Sequence, residues 1–345
     1  LTLPGSTPAV KLSAHQKNGI WRIIQSMNTL LAHAVGAGKT WTMAGAAMEL
    51  RRLGLANKPM FVVPNHMLIQ FSKEFLHLYP AAKILAASKE DFAKGAREKL
   101  MSRIATGDWD AVVVAHSSFG RLPVSAATEV AFVQEEIDRV VSAIETARIE
   151  QGHGRDNRLV KGMEKVRARM EGRLDELMKR VGKDDAVTFE QLGVDRLFVD
   201  EAHEFKNLYA PTKLTRMAGI PQSESGKASD LYMKGRWLQR QNNGAGLVFA
   251  TATPISNTMV ETFTMQRYLQ PDALAERGMM HFDAWAQVFG EPVVTTEMDV
   301  TATTFKQKTR FARFTNLPEL TQMFRQVADV MTAEDLKLPV PELDG

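Results

Sequence analysis

The octapeptide His33-Ala-Val-Gly36-Ala-Gly38-Lys39-Thr40 constrains this chain more than any other feature. It follows the apolar run Thr29-Leu30-Leu31-Ala32 and opens a stretch, Trp41 to Leu53, that reads as a helix. A strand, a glycine-rich turn and a helix start, in that order, form a phosphate-binding loop. The glycines let backbone N–H groups close around an anion, and the helix N-terminus adds partial positive charge. On this reading Gly36, Ala37 and Gly38 form the cradle, Lys39 reaches the β- and γ-phosphates of a nucleotide, and Thr40 places its hydroxyl on Mg²⁺. The strict pattern has glycine where this chain has His33. Taken alone, a chance Gly-Lys-Thr at a helix start is the competing reading.

The loop fits a wider pattern. Four further apolar runs, Met60–Val63, Ala111–Val114, Leu197–Val199 and Leu247–Phe249, each lead into a polar or glycine-rich loop, with helical stretches between most of them. Uniformly apolar strands alternating with helices predict an α/β fold whose mainly parallel sheet is covered on both faces. Ligands of such sheets sit at the carboxyl ends of the strands.

Two more strand ends carry chemistry. Leu197-Phe-Val-Asp200-Glu201-Ala202-His203 places two adjacent acids after a buried strand. The first can hold the Mg²⁺ that bridges phosphates, and the second can orient or deprotonate an attacking water. A surface acid pair at a helix start is the bland alternative, but a phosphate loop followed by Asp-Glu-Ala-His is the order a nucleotide hydrolase needs. Ala250-Thr251-Ala252-Thr253-Pro254 also closes a strand; alone it reads as a Thr-rich turn.

Two regions break the alternation. In 124–190, Val130, Val133, Ile137, Val140 and Ile144 recur at spacings of three and four, as do Leu159, Met163, Val166, Met170, Leu174 and Leu177. Two stripes joined by Gln151-Gly-His-Gly-Arg-Asp-Asn predict an inserted antiparallel helical hairpin. Its second arm carries Arg158, Lys161, Lys165, Arg167, Arg169 and Arg173, which read as a solvated face or as a nucleic-acid-contacting arm. Residues 276–345 are expected to be a C-terminal extension leading toward a second lobe absent from this chain, with part of it packed back on the first. Ser225-Gly226-Lys227 echoes a phosphate loop but lacks a preceding strand, and reads as a loop before a helix capped near Ser229.

Composition sets outer limits. There is no cysteine, so disulfides and thiolate-bound zinc are excluded. A net charge of +3 permits nucleic-acid binding without demanding it. No run of about 18 apolar residues occurs, so no membrane span is expected. The start, Leu1-Thr-Leu-Pro-Gly, lacks an initiator Met and a signal peptide. The chain is therefore expected to be an excerpt of a longer, cytoplasmic polypeptide.

These elements, in this order, resemble the motors of helicase superfamily two. Finer features are similar to the Swi/Snf-type double-stranded DNA translocase branch: Leu12-Ser-Ala-His15-Gln16 ahead of the loop, Val62-Val63-Pro64-Asn65 with Gln70-Phe71, Trp109 to Ser118, Asp200 to Asn207 including Lys206, and Thr251 to Pro254 with Asn257 and Glu261. The resemblance covers about 12–271. It implies a RecA-like lobe over 1–123 and 191–275, with Gln16 on adenine. It also implies His203, Thr251 and Thr253 relaying nucleotide state, and Pro64, Asn65, His116, Ser117 and Lys206 near nucleic-acid phosphates.

The tail, Phe282 to Gly290 and Lys308 to Leu320, resembles very large phage- and plasmid-borne proteins that fuse such a motor to an adenine-specific DNA methyltransferase and are linked to defence against restriction. No methyltransferase motif such as Asn/Asp-Pro-Pro-Tyr occurs in this chain. The resemblance implies a bacterial setting, ATP and Mg²⁺ as ligands, and double-stranded DNA rather than RNA as partner. A second RecA-like lobe outside this chain would supply an arginine to the ATP site. Without it, ATP hydrolysis by the chain alone is expected to be nearly absent. The alternatives are a motor subunit of a restriction-modification enzyme and a nucleotide-gated DNA-binding module that does not translocate.

Overall fold

The apolar runs are strands, each slightly longer than the run itself. The computed structural model describes residues 2–93, 95–151, 157–181, 187–209, 212, 217–218, 225–255, 260–298 and 305–336. In chain order the elements begin with α1 (Ala14–Gln25), β1 (Thr29–His33), α2 (Lys39–Arg52), β2 (Pro59–Val63), α3 (Leu68–Leu78), β3 (Ile84–Ala87), α4 (Ala96–Thr106), β4 (Ala111–Ala115) and α5 (His116–Phe119). The middle of the chain supplies α6 (Ala126–Gln151), α7 (Asn157–Met178), β5 (Arg196–Asp200), β6 (Met217–Ala218), α8 (Gly226–Gln241) and β7 (Leu247–Thr251). The last third supplies α9 (Val260–Leu269), α10 (Pro271–Glu276), α11 (Phe282–Phe289), β8 (Gly290–Met298), β9 (Phe305–Phe314), α12 (Leu317–Val327) and β10 (Ala328–Met331).

Among the described residues a seven-stranded sheet runs in the order β10-β1-β7-β5-β2-β4-β3, and every adjacent pair is parallel. The fold is α/β and RecA-like. Alternation along each strand divides the core in two, because successive side chains point to opposite faces. Leu30, Met60, Val62, Val112, Val114, Leu197, Val199 and Phe249 meet Ile104 of α4, Leu231 of α8 and Tyr268 of α9. On the other face Leu31, Phe61, Val63, Val113, Phe198 and Val248 meet Ile20 of α1, Met43 and Leu50 of α2, and Phe71 and Phe75 of α3. With both faces covered, a strand needs no polar side, which is why each reads as a continuous apolar run.

Helices α6 and α7 pack against each other through the stripes read from the sequence. Val140, Ile144, Val160 and Met163 form one cluster, and Val133, Ile137, Leu174 and Leu177 another. The ends of 124–190 belong elsewhere: Val124 and Phe189 join the main core, as do Leu192 and Val194 just beyond. Near its start α6 leans on the lobe, with Phe132 edge-on to Tyr232 and Glu135 paired to Arg240. The linking turn, 152–156, and the side chains of Arg158 and Leu159 lie outside the described residues.

Part of the C-terminal segment packs on the lobe and joins its sheet. Phe282, Trp285 and Phe289 of α11 and Leu320 and Met323 of α12 pack on Phe263 of α9 and Leu274 of α10. Strand β10 then adds itself in parallel beside β1. Only Ala328 of this four-residue strand is buried, so no apolar run announces it. The helix expected to be capped near Ser229 begins at Gly226, with Ser225 as N-cap.

Candidate nucleotide site and its neighbours

The candidate side chains gather at the carboxyl ends of neighbouring strands. Lys39 follows β1, Thr251 ends β7 and Asp200 ends β5; these strands lie side by side in that order. Gly36 and Gly38 take left-handed φ values of 83° and 73°, where a side chain is strained. A Cβ at Gly38 would also sit 2.2 Å from Gln16 Nε2 and displace that amide. Lys39 Nζ donates to the carbonyls of His33 (3.1 Å) and Ala34 (3.3 Å), which holds it across the loop. Burial lowers the Lys39 pKa, opposed by the nearby Glu201 and Asp200 carboxylates.

Gln16 touches the loop directly. Its amide donates to the Gly38 carbonyl at 3.2 Å, while its Oε1 accepts from the Ser13 backbone and caps α1. His15 Nε2 donates to the Ala37 carbonyl at 2.8 Å. His33, at the position where the strict loop has glycine, is fully buried and lies 3.0 Å from Asp329 Oδ2 of β10. Ala34 N–H also donates to the Met331 carbonyl. The last strand therefore braces the loop at two points, and Asp329 was missed because it stands in no local motif.

Asp200 is buried, and its carboxyl is pushed up to about 6 by that burial and then by Glu201 beside it. Glu201 has φ 48°, a left-handed backbone that costs a non-glycine residue about 1–2 kcal/mol. It is held by its own neighbours: Glu201 N–H donates to Asp200 Oδ1 at 3.1 Å. His203 Nδ1 lies 3.1 Å from Glu201 Oε2 and 3.0 Å from Thr251 Oγ1. Thr251 Oγ1 also accepts from Thr253 N–H at 3.1 Å. A continuous polar chain thus links Glu201, His203, Thr251 and Thr253 across β5 and β7.

The residue types fit a divalent cation held with a nucleotide. A buried carboxylate that burial has made hard to ionise, with a second carboxylate adjacent, gains from a cation. Mg²⁺ characteristically takes one or two carboxylates and completes its shell with phosphates and water. Asp200 and Thr40 are the groups here that suit it. Among the described residues no cluster of three or more His, Asp or Glu forms a metal site of its own.

A second group lies over β2 and β4. Pro64 and Asn65 follow β2, and Asn65 Oδ1 accepts from Ser117 N–H at 3.1 Å. His116 Nε2 donates to the Asp200 carbonyl at 2.9 Å, and burial together with Lys227 lowers the imidazole to about 4. Lys206 Nζ is 2.9 Å from Glu261 on α9, tying the acidic turn to the helix after Thr253. Lys227 and Glu204 also join this group. Glu204 extends the Asp-Glu-Ala-His run by one residue, a signal available in the sequence. Lys227 had none beyond its Gly-Lys echo. Asn257 lies outside the described residues.

Comparison with known proteins agrees with both resemblances drawn from the sequence. A family described as a probable helicase domain matches residues 21–332. Over 161 residues the chain is 30% identical to the Defense against restriction protein B of Escherichia phage P1. That match covers 45% of this chain and 7% of the phage protein. Among solved structures, the fold is similar to the Sulfolobus solfataricus SWI2/SNF2 ATPase core in complex with dsDNA, with a TM-score of 0.50 and 14% sequence identity. The superposition covers 98% of this chain and 47% of that one. The chain thus spans less than half the length of either relative. Among the described residues no helix is long and apolar enough to cross a membrane.

Proposed function

This chain belongs to the probable helicase domain family, and from that premise we propose that it is the ATP-binding lobe of a DNA-dependent translocase. In this role it couples ATP hydrolysis to movement on double-stranded DNA within a larger anti-restriction protein. The observation that carries the reading is the juxtaposition at three neighbouring strand ends. Lys39 lies close to Asp200 and Glu201, and a polar chain runs from Glu201 through His203 to Thr251 and Thr253. A nucleotide-gated scaffold has no need of the second acid or of the chain beyond it.

Each residue then has a separate task. Gly36, Ala37 and Gly38 present backbone N–H groups to phosphate, and Lys39 leaves the His33 and Ala34 carbonyls for the β- and γ-phosphates. Thr40 and Asp200 are the groups that would hold Mg²⁺, which neutralises charge developing on the phosphates. Glu201 orients the attacking water, and His203 fixes its carboxylate. Thr251 and Thr253 move with that carboxylate, so hydrolysis is felt one strand away. Gln16, bonded to the loop's Gly38 carbonyl, reads adenine in this scheme.

The solved relative is a complex with dsDNA, which supports duplex DNA as the partner. Phosphates of the tracked strand would lie along Pro64-Asn65 and His116-Ser117, which the Ser117 N–H joins by donating to Asn65 Oδ1. Positioning of this kind carries no sequence information, as a translocase requires. A facing lobe supplies an arginine, a contribution worth about 10³–10⁵-fold in related phosphoryl transfer. A methyltransferase region in the longer polypeptide completes the reading.

The test uses two variants of the longer polypeptide. Lys39→Ala should abolish tight ATP binding, whereas Glu201→Gln should bind ATP normally and stop hydrolysis. Nucleotide titration and DNA-stimulated turnover read both. Equal loss of binding in the two variants would defeat the assignment.

A further inference from the structure

Beside the nucleotide site, α5 and the first turn of α8 enclose a cleft of about 340 Å³ lined by His116, Ser117, Gly120, Arg121, Lys227 and Asp230. Two cations face it. Arg121 is exposed and has no ion-pair partner among the described residues. Lys227 is held from three sides: Glu204 Oε2 at 2.7 Å, His116 Nδ1 at 3.4 Å, and the Phe205 ring at 4.5 Å from its centre. The anions there are Glu204 and Asp230, and the charge of Asp230 is met by Lys234 at 2.7 Å.

We propose that this cleft seats a backbone phosphate of duplex DNA, and that Lys227, by exchanging Glu204 for that phosphate, reports DNA binding to Asp200 and Glu201. The inference rests on the DNA-translocase reading above and adds to it a specific phosphate site and a sensor.

The latch is weak enough to open. Lys227 and Glu204 are both partly exposed, and ion pairs of that kind contribute little to stability. A phosphodiester offers a full negative charge with two free acceptor oxygens, and binding it releases counterions from the DNA. Arg121 across the cleft adds a second donor to the phosphate and none to Glu204.

Both ends of the latch lead to the acidic turn. Glu204 follows His203, whose ring lies against Glu201 and Thr251. His116 uses its Nε2–H on the Asp200 carbonyl, leaving Nδ1 as the lone pair that faces Lys227. When Lys227 turns to a phosphate, one charge leaves the neighbourhood of Glu204 and His116 together. Their contacts with the Asp200–His203 turn readjust. Lys227 is thus a positioning residue, acting on the nucleotide site through two others.

The test measures binding of a fluorescent DNA duplex to this chain across a salt series, with Lys227→Met, Lys227→Arg and Glu204→Gln as variants. Lys227→Met should weaken binding about five- to tenfold and lower the slope of log K against log salt by about 0.9, the loss of one phosphate contact. Lys227→Arg should retain both. Glu204→Gln should tighten binding, since it removes the competitor. A structural role for the pair would not produce this opposite sign. The response of ATP-analogue affinity to saturating duplex DNA should shrink in Lys227→Met, as reciprocal linkage requires.

An unchanged salt slope in Lys227→Met overturns the inference, as does weaker binding by Glu204→Gln. If the parent chain binds duplex DNA and Lys227→Met matches it, both the phosphate site and the sensor fall while the translocase reading stands. If the parent binds no duplex DNA at all, the translocase reading falls with it.

Discussion

Lys234 is a buried lysine that no step of the proposed mechanism uses. Its side chain is fully excluded from solvent, while Asp230, its partner at 2.7 Å, keeps 20% exposure. Nζ also donates to the Phe119 carbonyl at 2.9 Å and lies 4.4 Å from the centre of the Phe119 ring. Burial lowers the lysine pKa, and Asp230 opposes the shift. The residue therefore pins α8 to the end of α5. Lys234→Met keeps most of the volume and deletes the charge. It removes one of two donors to the Phe119 carbonyl, which keeps the Leu122 N–H at 3.1 Å, and leaves Asp230 without its cation. Breaking a buried ion pair costs about 3–5 kcal/mol. Asp230 can recover some hydration at its exposed edge, which places this case near 3 kcal/mol. At about 2 °C or less per kcal/mol in a chain of this size, the melting temperature should fall by about 5 °C.

Denaturant melts should show the same loss with an unchanged m-value, since the surface exposed on unfolding is unaltered. The double variant Asp230→Leu with Lys234→Met replaces the pair by apolar groups and should recover at least half of the loss. ATP affinity of the folded single variant should be unaltered, because Lys234 bonds Phe119 and Asp230 rather than the phosphate loop. The reasoning fails if the single variant melts within about 1 °C of the parent. It fails equally if the double variant is no more stable than the single one.

Two further outcomes are expected. Replacing residues 140–167 with a short Gly/Ser linker removes the outer hairpin cluster and spares Phe132, Glu135, Val124 and Phe189, which tie the segment to the lobe. A single cooperative thermal transition should remain, and an insoluble product would count against an independent hairpin. A loss of DNA affinity with a shallower salt dependence would make the basic arm a DNA contact. The imidazole of His116 is held neutral in the fold, its pKa pushed down to about 4 by burial and Lys227. The unfolded chain takes up that proton at about 6.5, so this stability is complete above 6.5 and is lost as pH falls toward 4. His116→Gln should flatten melting temperature against pH over that window, and an unaltered slope would show that another group carries it.

The strands and the nucleotide site were legible because their signals are local. An apolar run, a glycine turn and a helix start lie within a dozen residues, and the doubly covered sheet makes each central strand apolar throughout. The same logic explains the failures. Strand β3 has only Leu85 and Ala87 buried, and β10 only Ala328. An edge strand has one neighbour and needs fewer apolar side chains, so its pattern sinks into the background.

The departure at His33 belongs to the same class. Within the loop it reads as an imperfection, since glycine is the residue the strict pattern has there. In the fold the imidazole fills a buried slot against Asp329, a partner almost three hundred residues away in sequence. Two positions, 33 and 329, therefore answer to one another across β1 and β10. Neither has a reason to be what it is within its own segment. A histidine at that loop position finds its partner in a distant carboxylate, and no window of sequence is wide enough to contain that pairing.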